Sequence, residues 1–153
     1  MRYLVVEHTV KFMKLLIRKV AEWLLKYLIA YKMAKKKLHI KGSRVLLMGL
    51  TFKENCPDVR NSKVVDVIRE LAKHGARVDA YDPWADPKVV KHEYGLSLLR
   101  RLSNSRYDAV VMAVAHDEFK AMGIRAIRRL AKRKHVLFDI KYVFRAGQTD
   151  GRL

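Results

Sequence analysis

Cysteine is almost absent from this chain. Cys56 stands alone among 153 residues, so no internal disulfide can form. One thiol and six scattered histidines give no metal-ligand spacing, and no metal site is expected. The composition suits a reducing compartment, and the cytoplasm is the expected location. Proline and glycine are also scarce, at 3 and 7 residues, which argues against a disordered or fibrous chain. Long apolar runs are missing too. The nearest approach, from Val20 to Met33, is broken by Glu22, Lys26 and Lys32, so no segment reads as a membrane span. Glu7, Lys11 and Lys14 interrupt the first apolar stretch in the same way, and no signal peptide is expected. Acid is in short supply throughout: 15 Asp and Glu stand against 33 Lys and Arg, for a net charge of +18.

What remains is a globular composition, 50% hydrophobic and 31% charged, long enough for one core. Residues 1–41 carry 11 cations against 2 acids, and residues 42–153 carry 22 against 13, so each part contributes +9. Such a balance favours anionic partners: nucleotides, nucleic acid or an acidic membrane surface. An ordinary lysine-rich solvated surface is the alternative. No basic stripe interleaved with aromatics and no nucleic-acid motif is present, so nucleic acid is not expected as a partner.

Residues 3–37 read as one long helix, with Glu7, Lys11, Lys14, Arg18, Glu22 and Lys26 recurring as a narrow polar stripe. The apolar remainder, including Val20, Trp23, Leu24, Tyr27, Leu28 and Tyr31, is too wide for one small core. It is expected to cover the domain on one side and to meet a second subunit or another domain on the other. A membrane surface is the second reading. Residues 1–41 are thus assigned to a linker or dimerisation helix, and residues 42–153 to a separate α/β unit.

In that unit, Val45–Gly49, Val78–Tyr81, Ala109–Val114 and Val136–Ile140 are short apolar runs with the character of buried strands. Between the first two lies a helix over Ser62–His74, capped by Asn61 or Ser62 and ended by Gly75. A weaker segment, Asp86–Leu102, holds a short helix and one edge strand near Leu96. Asp117 is expected to cap a further helix reaching Lys132, and the tail reads as turns. Strands alternating with helices predict a Rossmann-like, doubly wound parallel sheet, preceded by the long helix.

Ligands of such sheets bind outside the carboxyl ends of the strands. Those ends hold Thr51, Phe52 and Lys53, then Asp82, then His116, then Lys141 and Arg145. Several cations with one acid and one histidine suit an anionic ligand that carries a ribose, and the helix start near Ser62 favours phosphate. Yet only Gly49 stands at the first turn. There is neither a G-x-G-x-x-G nor a G-x-x-x-x-G-K-[ST], so ordinary dinucleotide binding is not expected. Each candidate has a plain counterpart: Lys53 as a loop lysine, Arg60 paired with Asp58 or Glu54, Asp82 as a turn former before Pro83, His116 as a hydrogen-bonded structural residue. Cys56 has no base beside it in sequence and is not expected to act as a nucleophile.

The stretch Gly42–Ser62, with its G-L-T-F-K-E-N-C-P-D-V-R-N core, closely resembles the opening of the UDP-binding C-terminal domain of the UDP-glucose/GDP-mannose dehydrogenase family. Val78–Trp84, Ala113–Phe119, Phe138–Lys141 and Asp150–Leu153 extend the likeness, which is greatest to the bacterial branch acting on UDP-N-acetylhexosamines. The resemblance implies a sugar C6 alcohol oxidised to a carboxylate in two NAD-dependent steps through a cysteine thioester. It implies a UDP-sugar held by this domain, with Phe52, Lys53 and Lys141 toward the UDP-sugar and Arg60 toward NAD. It implies an NAD domain and a nucleophilic cysteine segment that this sequence does not contain. No catalytic residue is therefore assigned, turnover by this chain alone is not expected, and the long helix is expected to pair with a second subunit or with the absent half. An interaction module with a vestigial pocket is the alternative.

Overall fold

The computed structural model describes residues 23–153. The predicted helix up to residue 22 lies outside the described residues. A helix, α1, runs through residues 23–35 and is followed by β1 (Arg44–Met48), α2 (Lys63–Lys73), β2 (Arg77–Tyr81), α3 (Pro87–Tyr94) and β3 (Tyr107–Met112). The chain closes with α4 (Asp117–Leu130), β4 (Ala131–Asp139), a 3-10 turn over Ala146–Gln148 and β5 (Gly151–Arg152). The five strands form one sheet in the order β2-β1-β3-β4-β5, and every pairing is parallel.

Alternation along the strands builds two apolar layers. Val45 and Leu47 face one way with Val111, Val136 and Phe138, where they meet Ile68 and Leu71 of α2 and Val90 of α3. Leu46, Met48, Val110 and Leu137 face the other way and meet Phe119, Ile127 and Leu130 of α4. Helix α1 belongs to the first layer, because Leu25, Ile29 and Met33 are buried in it. Polar ties reinforce this packing. Lys26 Nζ reaches Glu70 of α2 at 3.1 Å, and Lys36 Nζ reaches Asp150 at 2.6 Å. The opposite side of α1 leaves Trp23, Leu24, Tyr27 and Tyr31 exposed.

Helix α2 ends as the sequence predicts. Gly75 takes φ +84°, its N–H donates to Ala72 O, and the Ala76 N–H donates to Leu71 O, a Schellman closure. The start of α2 differs from expectation. Ser62 holds the N-cap position but makes no side-chain cap, because its hydroxyl donates to the Leu50 carbonyl and ties the helix to the end of β1. Asp117 is likewise not a cap but the first helical residue, with His116 at the N-cap position. Helix α4 breaks at Gly123, where φ is +73°, and stops at Leu130, two residues short of the predicted Lys132. Strand β4 starts earlier than expected, but its register to β3 jumps between Tyr107↔Ala131 and Ala109↔Val136, so the regular ladder covers the predicted apolar part. The tail contains a strand, β5, that its turn-rich composition conceals. Asp150 explains it: its carboxylate takes Lys36 Nζ and the Leu137 N–H, and its own N–H donates to Leu137 O.

Candidate functional site

Because all strands are parallel, the carboxyl ends of β1, β2, β3 and β4 lie along one edge. The residues singled out from sequence therefore share that edge. Phe52 and Lys53 follow β1, Asp82 follows β2, His116 follows β3 and Lys141 follows β4, with Arg60 just before α2. Lys53 follows β1 and Lys141 follows β4, two places apart in the sheet.

Of these six residues Asp82 and His116 are buried, and two kinds of role separate accordingly. Asp82 is buried and accepts five hydrogen bonds. Its Oδ2 takes the N–H groups of Leu50 (2.6 Å) and Thr51 (2.9 Å) and His116 Nε2 (3.0 Å), and its Oδ1 takes the N–H groups of Trp84 (2.7 Å) and Ala85 (3.1 Å). Burial works to raise its pKa, but the His116 bond and the three N–H groups of Leu50, Thr51 and Trp84 outweigh it and hold the carboxyl at about 2. His116 is fully buried. Its Nδ1 accepts the Asn55 N–H at 3.0 Å, which places the ring proton on Nε2. That proton lies toward Asp82 Oδ2 and Thr51 Oγ1, 3.2 Å away. The Thr51 hydroxyl in turn donates to the Lys53 carbonyl at 3.1 Å. Both residues thus follow their plain sequence reading, as turn former and hydrogen-bonded scaffold.

The scaffold presents the rest of the loop to solvent. Phe52 is 60% exposed and Lys53 is exposed. Among the described residues Lys53 has no acidic partner, so its charge is available to a ligand. Arg60 differs. Asp58 grips it in a fork, with Arg60 Nε to Oδ1 at 3.0 Å and Nη2 to Oδ2 at 2.9 Å. The Arg60 side-chain bond chiefly draws the Asp58 carboxyl down to about 2 and raises the guanidinium pKa in return. A charge already matched in this way attracts phosphate less strongly than Lys53 does. Beyond Arg60, a cavity of about 450 Å³ opens at the start of α2, lined by Asn61, Lys63, Arg69, Glu93 and Tyr94 among others.

Lys141 is exposed on a turn wound by Asp139, which is fully buried and accepts the N–H groups of Lys141 (3.1 Å) and Phe144 (2.9 Å). The same device therefore serves two strand ends. Asp139 was not singled out from the sequence, although a carboxylate directly after an apolar run and before a lysine is the signal for it. Asn55 was missed as well. It takes φ +53° and clasps Asp117 twice, through Nδ2 to Oδ2 at 2.9 Å and through Oδ1 to the Asp117 N–H at 3.1 Å. Trp84 was missed too. Its ring stacks near His116, with centroids 6.4 Å apart, and its Nε1 donates to Glu118.

Gly49 sits at the first turn with φ +95°. A Cβ there would lie 2.5 Å from Val114 Cβ and 2.9 Å from Val114 N. The space its missing side chain leaves is filled by Val114, just past the end of β3, so the turn offers no open cradle for a dinucleotide pyrophosphate. Among the described residues no group of three His, Cys, Asp or Glu could hold a metal ion, and no helix is long and apolar enough to cross a membrane.

The family model for the UDP binding domain of the UDP-glucose/GDP-mannose dehydrogenase family matches residues 46–146. The chain belongs to this family. The matched span contains Phe52, Lys53, Arg60 and Lys141, all on the edge just described. Among curated dehydrogenases, a UDP-N-acetyl-D-glucosamine 6-dehydrogenase of Pseudomonas aeruginosa is 52% identical over 121 residues, covering 79% of this chain and 29% of that protein. Its namesake from Salmonella typhi is 50% identical over 121 residues, covering 79% and 28%. Among solved structures, an NDP-N-acetyl-D-galactosaminuronic acid dehydrogenase from Methanosarcina mazei superposes with a TM-score of 0.74 at 21% identity, over 88% of this chain and 28% of that one. That likeness shows the fold. The chain spans under a third of the length of these dehydrogenases.

Proposed function

We propose that this domain holds the UDP moiety of a UDP-N-acetylhexosamine at the carboxyl edge of its sheet, as the sugar-nucleotide-binding part of an NAD-dependent 6-dehydrogenase. The observation that carries the reading is the loop at Phe52 and Lys53, held from beneath by the buried Asp82–His116 pair while Lys53 has no acidic partner among the described residues. A pyrophosphate needs fixed cations, and a lysine whose backbone is anchored loses less freedom on binding than a loose one. In this reading Phe52 and Lys53 contact the UDP-sugar, Lys141 faces its sugar side, and Arg60 reaches toward NAD. The pyrophosphate cradle for NAD and the nucleophilic cysteine come from outside residues 1–153. Cys56 lies in the nucleotide loop and is not that nucleophile. Bound NAD would supply a hydride acceptor for oxidation of the sugar C6 alcohol; this chain's own residues only bind and orient the nucleotide.

Titration of the folded chain with UDP tests the reading. Saturable binding is expected, weakened roughly tenfold or more in Lys53→Ala, since each factor of ten is about 1.4 kcal/mol and a charge-assisted contact is worth at least that. Folded protein that does not take up UDP, or a Lys53→Ala variant that binds as tightly as the original, overturns it.

The exposed side of α1 supports an assembly role within the same reading. Trp23, Leu24, Tyr27 and Tyr31 are 44–57% exposed on a helix whose other side is sealed in the core. A surface of this kind fits a second subunit or the remainder of a longer dehydrogenase. Light scattering is expected to show a dimer that dissociates in the double variant Trp23→Glu, Leu24→Glu. A monomer before substitution argues against self-association through this face.

A further inference from the structure

We infer that His116 is the positioning residue of the nucleotide loop, bracketing Lys53 so that its side chain is presented to the ligand. The inference deepens the proposed UDP-binding reading and rests on it. His116 grips the loop on both sides of Lys53. On one side Nε2 approaches Thr51 Oγ1 at 3.2 Å, and that hydroxyl holds the Lys53 carbonyl at 3.1 Å. On the other side Nδ1 takes the Asn55 N–H at 3.0 Å. The buried carboxylate of Asp82 sits 3.0 Å from Nε2 and fixes which nitrogen carries the proton. That choice matters, because a proton on Nδ1 would face the Asn55 N–H and the loop would lose its second anchor.

The surroundings fix the ring as well as the proton. Trp84 lies nearly parallel to it, with 17° between the planes, and is itself tethered to Glu118. Phe119 meets the ring edge-on, with centroids 5.3 Å apart and 72° between planes. The imidazole is therefore flanked by two aromatics, Trp84 stacked and Phe119 edge-on, and held on two nitrogens by polar partners, with no exposure to solvent. Asn55 completes the latch from outside: its left-handed backbone turns the N–H inward to His116, while its side chain clasps Asp117, the next residue after the histidine. A loop carrying a lysine between two anchors that meet on one buried ring is organised for presentation.

The test separates the two nitrogens. In His116→Asn the side-chain oxygen falls near the place of Nδ1 and keeps an acceptor for the Asn55 N–H. In His116→Gln the amide nitrogen falls near Nε2 and keeps the bond to Asp82 while giving up Asn55. Both lose the ring contacts with Trp84 and Phe119 and are expected to melt lower. UDP affinity is expected to fall roughly tenfold in His116→Gln and clearly less in His116→Asn, so that affinity does not follow melting temperature. The double variant His116→Gln, Lys53→Ala is expected to bind no worse than Lys53→Ala alone, because positioning has no value once the positioned group is gone. Asn55→Gly, which retains the left-handed backbone and leaves the core untouched, is expected to weaken UDP several-fold at nearly unchanged melting temperature. Without ligand, amide exchange at residues 53–55 is expected to quicken in His116→Gln and in Asn55→Gly. Additive losses in the double variant, or affinity that tracks stability across the series, overturn the inference while leaving UDP binding intact. If the original chain takes up no UDP, the proposed function fails, and unchanged exchange at residues 53–55 in both loop variants then overturns the latch on its own.

Discussion

Asp82→Ala is expected to be the most damaging single substitution on the nucleotide edge, costing about 3–5 kcal/mol of stability. Five donors lose their acceptor together: the N–H groups of Leu50, Thr51, Trp84 and Ala85 and the His116 ring N–H. These sites lie against the core, where water cannot replace the carboxylate at full strength. For a domain of this size the loss corresponds to roughly 10–15 °C in melting temperature. The same carboxylate sets part of the acid stability. Its folded pKa of about 2 lies below the ordinary 3.8. Its contribution is therefore complete above pH 4 and is lost as pH falls through about 2, amounting to roughly 2 kcal/mol. Asp150 is lowered too; burial raises it, but Lys36 and the Leu137 N–H prevail. The informative comparison is therefore between the original chain and Asp82→Asn, whose melting curves are expected to converge between pH 4 and pH 2. Parallel decline in both would show that Asp82 carries no part of the acid limb.

Gly49→Ala is expected to cost about 3 kcal/mol or more, for a different reason. The residue stands at φ +95°, where a side chain is strained before any contact is considered. The added Cβ would then meet Val114 at Cβ, Cγ2 and N, at 2.5, 2.8 and 2.9 Å. Because the backbone nitrogen of Val114 is one of the obstacles, and its neighbour Ala113 donates to Met48 O at 2.9 Å, the clash cannot be relieved by turning a side chain. Relief requires parting β1 from β3, which displaces the Leu50 and Thr51 N–H groups from Asp82 as well. Val114→Ala removes Cγ2 from among these three obstacles but leaves Cβ and N, and is not expected to rescue the variant. The midpoint of urea unfolding checks both statements, and a loss under 1 kcal/mol would show that the strands can part cheaply.

Much of the edge was legible in the sequence because its signals are local. An apolar run of five residues between a turn and a helix start, as at Val45–Gly49, has few alternatives to a buried strand. Alternation of such runs with helices implies a parallel sheet, and a parallel sheet places Lys53, Asp82, His116 and Lys141 on one side without further information. The helix end at Gly75 was readable for the same reason, since a left-handed terminus is a one-residue property.

The features that the sequence concealed depend on partners far along the chain. Ser62 has the composition of a cap, yet the Leu50 carbonyl twelve residues earlier takes its hydroxyl. The two residues of β5 become a strand only because Asp150 is clamped by Lys36 and Leu137 and because Gly151 lets the chain pass Phe138, whose ring would lie 2.6 Å from any added Cβ.

By itself, then, the sequence determined the order of β1 to β4 and of the helices between them, the shared edge of the cationic loop residues and the family to which the chain belongs; the edge strand expected near Leu96 is only a single bridge between Leu98 and Ala80. Hydrophobic period and turn chemistry act over a few residues and leave a direct mark on composition. Tertiary structure alone decided that Asp82 and His116, 34 residues apart, meet across the end of β1. That outcome follows from which strands become neighbours, and hydrogen bonds between neighbours reward pairings that no local pattern encodes.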